Sequence, residues 1–155
     1  MRQYAADILL DFARKWRSFG GYHTRFPMPI VYQIDAAENF IHTRLVGDIT
    51  IGDSREHLRV LQADPICPAS LNVLLDLTET TSVPDSEDLR VISDEIGLVR
   101  TIRFNACAIF TTDDHLFGMA RMFVVFARNR FQAMHVFRTM SNARKWLDSF
   151  KMPVS

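Results

Sequence analysis

The chain has 155 residues, of which 48% are hydrophobic and 23% are charged. This length is typical of one domain and this composition of a globular core, which excludes disordered, collagen-like and coiled-coil chains. Because eighteen basic residues balance eighteen acidic ones, no net charge attracts the molecule to nucleic acid or to an anionic membrane.

The cysteines and the apolar runs indicate the environment of the protein. The two cysteines, Cys67 and Cys107, do not form a paired motif. This argues against a disulfide-stabilised scaffold and favours a reducing, cytoplasmic environment. We expect no membrane span, because no apolar run reaches the required length of roughly 18 residues.

Residues 1–27 are predicted to form a helical extension and a linker that precede one domain at residues 28–155. Large apolar side chains recur at every fourth position and indicate an amphipathic helix, at Tyr4, Ile8, Phe12 and Trp16. Proline residues at positions 27 and 29 then break the helix. Because the polar stripe carries both charges, we expect the helix to pack on the domain or on a second subunit; a peripheral membrane role is the alternative. Met28 is an alternative start of the protein.

The next segments predict a hairpin followed by a helix. Residues 30–35 and 40–46 have the character of strands, and the short connection between them favours an antiparallel pair. Asp53 and Glu56 resemble a capping box, which predicts a helix that stops near Asp64-Pro65.

The remaining segments alternate between strands and helices. Residues 71–77 are nearly all apolar, as in a parallel strand that is covered on both faces. Helical spacing follows over residues 85–102, with acidic residues in the first turn. Further strands are predicted at 106–110 and 133–137, before a closing helix at 141–150. With one more helix between those two strands, the order ββαβαβαβα predicts an α/β fold with one mixed, mostly parallel sheet.

The helix predicted at residues 115–130 is apolar nearly all round, so its apolar side chains cannot all face one core. Part of its surface needs a second cover, from another subunit or from a lipophilic ligand. The residues predicted to form this surface are Phe117, Met119, Met122, Phe123 and Phe126.

Charge is divided into two blocks along the chain. Residues 48–95 hold eleven acidic residues against three arginines, whereas residues 100–145 hold eight basic residues against two aspartates. Such asymmetry favours self-association. The alternative is a set of solvated helix faces that do not form patches in space.

Motifs for catalysis or cofactor binding are few. The sequence has no G-x-S-x-G, Walker or G-x-G-x-x-G motif, so we expect no enzyme and no cofactor. Asp113-Asp114-His115 is a compact cluster of side chains that can bind metals. We interpret it as a helix cap with an acidic first turn, because adjacent residues on a turn rarely converge on one ion.

Hydroxyl groups are concentrated in the segment 78–88, where a central strand leads into a helix. Open α/β sheets bind ligands at such strand ends, and helix N-termini favour anions. Phosphorylation there would add roughly −1.5 to −2 charge, favourable for the helix dipole and unfavourable beside neighbouring carboxylates. We predict a switch or partner loop made of Ser82, Asp85, Ser86, Glu87 and Asp88. A simply capped helix is the alternative.

Three segments match a known pattern in their order and sequence. They are Leu74-Leu75-Asp76-Leu77, Asp85-Ser86-Glu87-Asp88-Leu89, and the ending Val136-Phe137-Arg138 with Ala143-Arg144-Lys145-Trp146-Leu147. With the element order, they make residues 30–150 resemble a STAS domain, of the stand-alone branch related to the stage II sporulation anti-sigma-factor antagonists. The resemblance implies a bacterial, non-enzymatic domain that regulates through protein contacts.

The resemblance also has implications for the predicted loop. In that family an Asp-Ser-Ser-Gly-Leu turn carries the phosphorylated serine and binds a kinase. Here Glu87 stands where the second serine would be and Asp88 replaces the glycine, which argues against phosphorylation at that position and leaves Ser86 as the substitute. The branch is also likened to CRAL-TRIO-like lipid-transfer proteins, which implies a lipophilic cleft beside the apolar helix.

We therefore expect a STAS-type interaction or regulatory module without a metal or cofactor. Its partner would be a protein or a second copy of itself, in a dimer. The alternative is a carrier or sensor of a small lipophilic ligand.

Overall fold

The structure is a computed structural model that describes residues 29–151. The amphipathic helix expected within residues 1–27 lies outside the described residues, and so does the proposed boundary at Met28. Both stay predictions.

Within residues 29–151, five strands form one mixed sheet in the order β1-β2-β3-β4-β5. The strands are β1 (Ile30–Asp35), β2 (Phe40–Asp48), β3 (Ser70–Ser82), β4 (Arg103–Phe110) and β5 (Ala133–Phe137). β1 is antiparallel to β2, and every other neighbouring pair is parallel. The mixed, mostly parallel sheet predicted from the element order is confirmed.

The described part of the chain also has four α-helices, each of which follows one of the strands β2 to β5: α1 (Ile51–Ala63), α2 (Ser86–Gly97), α3 (Asp114–Ala127) and α4 (Met140–Asp148). The first three connect neighbouring parallel strands, and crossovers of one hand place such helices on one face of the sheet. α4 follows the last strand and covers the opposite face. No helix among residues 29–151 is long and apolar enough to cross a bilayer.

The sheet divides the hydrophobic core into two parts. Leu71 and Val73 of β3 face the core beneath α1, α2 and α3. Leu74 faces the smaller core beneath α4, with Ala143 and Leu147 of that helix. The alternation of side chains along a strand explains this division, and it confirms that β3 is covered on both faces.

β3 is longer than the apolar run predicted. We expected a strand over residues 71–77 and then a polar loop, whereas β3 continues to Ser82. The added residues stay in the sheet because the end of β2 pairs with them, Val46 with Glu79 and Gly47 with Thr80. The loop expected from residue 78 is therefore mostly strand, and residues 83–85 alone connect β3 to α2.

The capping box of α1 is formed by a different pair from the one predicted. Thr50 Oγ1 accepts a hydrogen bond from Asp53 N at 3.2 Å, and Asp53 Oδ2 accepts one from Thr50 N at 2.9 Å. The predicted pairing of Asp53 with Glu56 was wrong, because Asp53 is the third residue of the helix and Thr50 is its cap.

α2 is shorter than predicted and ends at Gly97 instead of Ile102. The amide of Leu98 closes the helix by donating to Glu95 O at 3.0 Å. The chain then has to reach the sheet, where Arg103 N donates to Ala69 O at 2.7 Å. Apolar residues beyond Gly97 continued the helical pattern, but they belong to the connection that leads to β4.

Candidate functional site

A largely apolar cavity of about 140 Å³ lies between the sheet and the layer of α1, α2 and α3. Val73 and Ile109 line it from the sheet, and Leu58, Leu89 and Phe123 line it from the three helices. Among the described residues that line it, none carries an Asp, Glu, Lys or Arg side chain. The lining therefore suits an uncharged, apolar occupant.

Three polar side chains interrupt this apolar lining: Thr43 of β2, and Ser54 and His57 of α1. Thr43 is 1% exposed, and its Oγ1 has no hydrogen-bond partner among residues 29–151. Ser54 and His57 are one turn apart, so they lie on the same face of α1. Buried hydroxyl groups in proteins are nearly always hydrogen-bonded, so Thr43 is an exception that requires an explanation.

His57 is a neutral polar group of the cavity. Burial lowers the pKa of its imidazole to about 4, so the ring is uncharged at neutral pH and offers one donor and one acceptor. The ring of Tyr32 packs edge-on against it, with 5.5 Å between the ring centroids. Tyr32 donates its hydroxyl to Asp64 Oδ2 at 2.7 Å. This hydrogen bond holds the tyrosine beside the end of α1.

The arrangement of sheet and helices is shared with a solved structure. That structure is of an uncharacterized protein from the DUF3478 family of Shewanella loihica PV-4, with a SpoIIAA-like fold. The match has a TM-score of 0.52 and 17% sequence identity, and covers 76% of this chain and 91% of that one. This chain has a SpoIIAA-like fold. The STAS-like fold implied by the sequence motifs is thereby confirmed. No family model and no curated protein matches the sequence.

The SpoIIAA-like fold separates Ser82 from the rest of the predicted switch loop. Ser82 is the last residue of β3, and its hydroxyl donates to Asp48 Oδ1 at 2.9 Å. Thr81 donates to the same oxygen at 2.7 Å. These two hydrogen bonds lower the pKa of Asp48. The hydroxyl of Ser82 therefore holds the end of β3 to the end of β2.

The other four residues of the predicted loop begin α2. Asp85 is the N-cap and accepts a hydrogen bond from Asp88 N at 3.0 Å. Ser86 and Glu87 are the first two residues of the helix, and both are exposed. An exposed Ser86 at this position is accessible to a kinase or to a protein partner.

The five residues expected to form one apolar surface on α3 have three different surroundings. Met119 and Phe123 line the cavity. Phe117 and Phe126 are covered by arginines, whereas Met122 is exposed to solvent. α3 has this division because its buried residues follow one helical stripe, Leu116, Ala120, Phe123 and Ala127.

Cation–π contacts shelter two aromatic rings of α3 that the core buries only in part. The guanidinium carbon of Arg138 lies 3.9 Å from the centroid of Phe117, and that of Arg90 lies 4.5 Å from the centroid of Phe126. Both separations are within the range of a favourable contact. Arginines of the same chain therefore cover two of the apolar side chains of α3 that the sequence predicted to need a subunit or a ligand.

On the other side of the sheet, His42 and Asp76 of neighbouring strands form a hydrogen-bonded pair. His42 Nε2 and Asp76 Oδ2 are 3.3 Å apart. The hydroxyl and the amide of Thr78 donate to Asp76 Oδ1 at 2.6 and 3.0 Å. Burial raises the pKa of Asp76, but the hydrogen bonds from His42 and Thr78 outweigh it and bring the pKa to about 2.

The residues with metal-binding or nucleophilic side chains have structural roles. Asp113 caps α3 by accepting a hydrogen bond from Leu116 N at 2.9 Å, as predicted, and Asp114 pairs with Arg138 at 2.6 Å. Burial raises the pKa of both thiols, Cys67 and Cys107. Within residues 29–151, no three His, Cys, Asp or Glu side chains are placed to hold a metal ion.

The two charge blocks of the sequence meet on neighbouring helices. α2 exposes Asp94 and α3 exposes Arg121. The helices are in contact, since the Ser93 hydroxyl donates to the Phe126 carbonyl at 2.9 Å. Arg130, which follows α3, pairs with Asp94 at 3.3 Å. One ion pair therefore joins the acidic segment to the basic segment beside these two helices.

Neither Thr43 nor His57 was among the residues predicted to be functional. A signal for Thr43 was present, because it takes an inward position in the alternation of Ile41, Thr43 and Leu45, where an apolar residue is expected. His57 precedes Leu58 on α1, and nothing in its neighbours along the chain indicated a cavity. That these two residues share a cavity depends on how α1 packs on β2.

Proposed function

We propose that the protein is a cytoplasmic, bacterial, non-enzymatic module of the STAS type that regulates by binding a protein partner and associates with a second copy of itself. One observation carries the self-association: exposed apolar side chains lie on or next to two neighbouring helices. We call these side chains the α2–α3 surface; they are Val91, Leu98, Met122 and Val125. Groups of exposed apolar side chains on soluble domains mark interaction sites. The free thiols of Cys67 and Cys107 favour a reducing compartment.

The charges around the α2–α3 surface favour a second copy as its occupant. A dimer with two-fold symmetry presents the same surface from both subunits. In such a dimer, the acidic α2 of one copy can face the basic α3 of the other. Exposed residues of suitable charge are Glu87 and Asp94 on α2, and Arg121 and Arg128 on or next to α3. Complementary charges then fix the register while the apolar side chains exclude water.

Sedimentation analysis of two matched variants tests self-association. Val125 on the α2–α3 surface is 62% exposed, and Ile66 elsewhere is 60% exposed. We expect the wild type to be a dimer at micromolar concentration. Val125→Asp should raise the dissociation constant by about 100-fold, because it buries an unpaired charge. Ile66→Asp should remain a dimer. A monomeric wild type, or equal effects of the two variants, contradicts the proposed interface.

The order in which Thr78, Asp76 and His42 are hydrogen-bonded supports a non-enzymatic function. A hydroxyl nucleophile requires histidine between the hydroxyl and the carboxylate, so that the imidazole can accept the proton. Here Asp76 lies between the Thr78 hydroxyl and the His42 ring. The carboxylate therefore accepts hydrogen bonds from both sides, and the hydroxyl has no neighbouring base with a suitable pKa.

A second candidate function, the carriage or sensing of a small lipophilic ligand, is favoured by the apolar cavity. Its volume of about 140 Å³ is close to the roughly 150 Å³ of an engineered apolar cavity in another protein that binds benzene. Binding of toluene to the purified full-length chain, followed by methyl NMR, tests this function. Perturbed signals from residues such as Leu58 and Met119 are expected. No perturbation at saturating toluene contradicts it.

A further inference from the structure

The polar side chains that line the cavity come from two elements that are consecutive in the chain. Thr43 contributes from β2, while Ser54 and His57 contribute from α1, which follows β2 directly in the chain. Neither the Ser54 hydroxyl nor the His57 ring makes a hydrogen bond to another described residue. Three groups that can donate or accept hydrogen bonds therefore lie along an otherwise apolar lining.

Packing does not account for Thr43. Its methyl group would suit the apolar surroundings equally well as part of valine, which has nearly the same shape. The hydroxyl is fully buried and unpaired within the described part of the chain. Nearly all buried polar groups have a partner, and Thr43 lines the cavity, so a molecule that binds there can supply the missing partner.

The character of that partner follows from the lining. No charged side chain of the described residues lines the cavity to balance a charge, and an unpaired ion would be strongly disfavoured there. The volume of about 140 Å³ holds a single ring or a short alkyl chain. The apolar walls favour a hydrophobic body, and the Thr43 wall favours one polar group.

We propose that the cavity binds a small, neutral, ring-sized molecule whose single hydroxyl group hydrogen-bonds with Thr43 Oγ1. The hydroxyl of threonine can donate to or accept from that group, and Ser54 and His57 can complete its hydrogen bonding. This inference rests on the ligand-binding function. It adds the residue that hydrogen-bonds with the ligand, which we call the Thr43 anchor, and the chemical class of the ligand. Self-association through the α2–α3 surface is independent of it.

The test compares phenol with toluene, because the two molecules have nearly the same shape and differ in one hydroxyl group. Affinities are measured by NMR titration of the full-length wild type and Thr43→Val. We expect the wild type to bind phenol about tenfold more tightly than toluene, as one hydrogen bond implies. In Thr43→Val this preference is lost, because phenol binds about tenfold more weakly and toluene is unaffected.

Thr80→Val is the matched control. Thr80 is also a buried threonine in a strand, but its hydroxyl donates to Leu45 O at 2.9 Å and it does not line the cavity. This variant should keep the wild-type preference for phenol. Benzoate, which adds a negative charge to the same ring, should not bind to any of the three proteins.

The outcomes separate the Thr43 anchor from the ligand-binding function. If toluene and phenol bind equally to the wild type and to Thr43→Val, the ligand-binding function stands and the Thr43 anchor is wrong. If neither molecule binds to the folded wild type, both are wrong. Tighter binding of benzoate than of phenol also overturns the proposed neutrality of the ligand.

Discussion

Asn72 replaces a backbone hydrogen bond where the pairing of β3 and β4 is irregular. The register shifts between Leu71 and Val73, and Asn72 Oδ1 accepts the amide of Ala106 at 3.1 Å. The same oxygen accepts from Asn105 Nδ2 at 2.8 Å. One side chain thus satisfies a buried amide that the strand itself does not reach.

Replacing Asn72 with leucine tests this role. Asn72→Leu leaves the amide of Ala106 buried and unpaired, so we expect the free energy of unfolding to fall by about 2–3 kcal/mol. Asn105→Ala is the control, because the bond between Asn72 and Ala106 remains, and it should cost about 1 kcal/mol or less. Urea unfolding followed by circular dichroism measures both. Equal losses in the two variants would contradict the role assigned to Asn72.

Asp76 makes stability depend on pH at the acidic end. Its pKa is lowered from 3.8 to about 2 in the folded protein. The stabilisation is therefore fully present above the unfolded pKa and is lost as pH falls through the folded one. A shift of this size corresponds to about 2 kcal/mol. Urea unfolding between pH about 5 and about 2 should show this loss in the wild type. In Asp76→Asn, the free energy of unfolding should lose this part of its dependence on pH. An unchanged dependence on pH contradicts the role of Asp76.

At the scale of elements, α3 shows how an apolar helix can be accommodated within one chain. One stripe packs on the sheet, with Ala120 and Phe123 buried. The rings of Phe117 and Phe126 are covered by arginines from other elements. What remains exposed is less than the sequence pattern implied, and it includes Val125. The apolar side chains of α3 that stay exposed, Met122 and Val125, therefore lie opposite its buried stripe.

The start of α2 allows a prediction about the partner loop. Ser86→Asp places a negative charge in the first turn, where the helix dipole favours it and Glu87 opposes it. We expect the midpoint of thermal unfolding to change by about 2 °C or less. The variant should no longer bind a partner protein that the wild type retains in a pull-down. Ser82→Ala is a control, because that hydroxyl bonds to Asp48. Partner binding that survives Ser86→Asp contradicts a switch at this position.

At the scale of the whole molecule, the cavity and the partner loop share a boundary. Val83 and Pro84 line the cavity, and they connect β3 to the cap residue Asp85 of α2. The lining of the cavity therefore includes the connection that leads to Ser86. The SpoIIAA-like fold brings the two proposed sites together through this short connection, while the α2–α3 surface lies on the outer side of the same helices.

Much of the fold was predictable because local periodicity reflects which face of an element is buried. The period of two in β2 and the apolar run of β3 identified the strands, and the order of elements identified the sheet class. The end of β3 was not predictable in this way, because Thr80 and Ser82 remain in the strand through pairing with β2. Polar residues such as these predict a loop from local sequence. Hydrogen bonds between their backbone and a neighbouring strand can nevertheless keep them in a sheet.

The sequence by itself determined the elements, their order, the sheet type and the position of Ser86 near a helix start, since each follows from residues close together in the chain. The tertiary structure decided the cavity, the place of Thr43 in its lining and the shelter of Phe117 and Phe126. The cavity depends on the space left between the sheet and its helices when they pack, and the shelter depends on arginines from other elements. The volume between side chains is a property of distant segments together, so no local pattern encodes it.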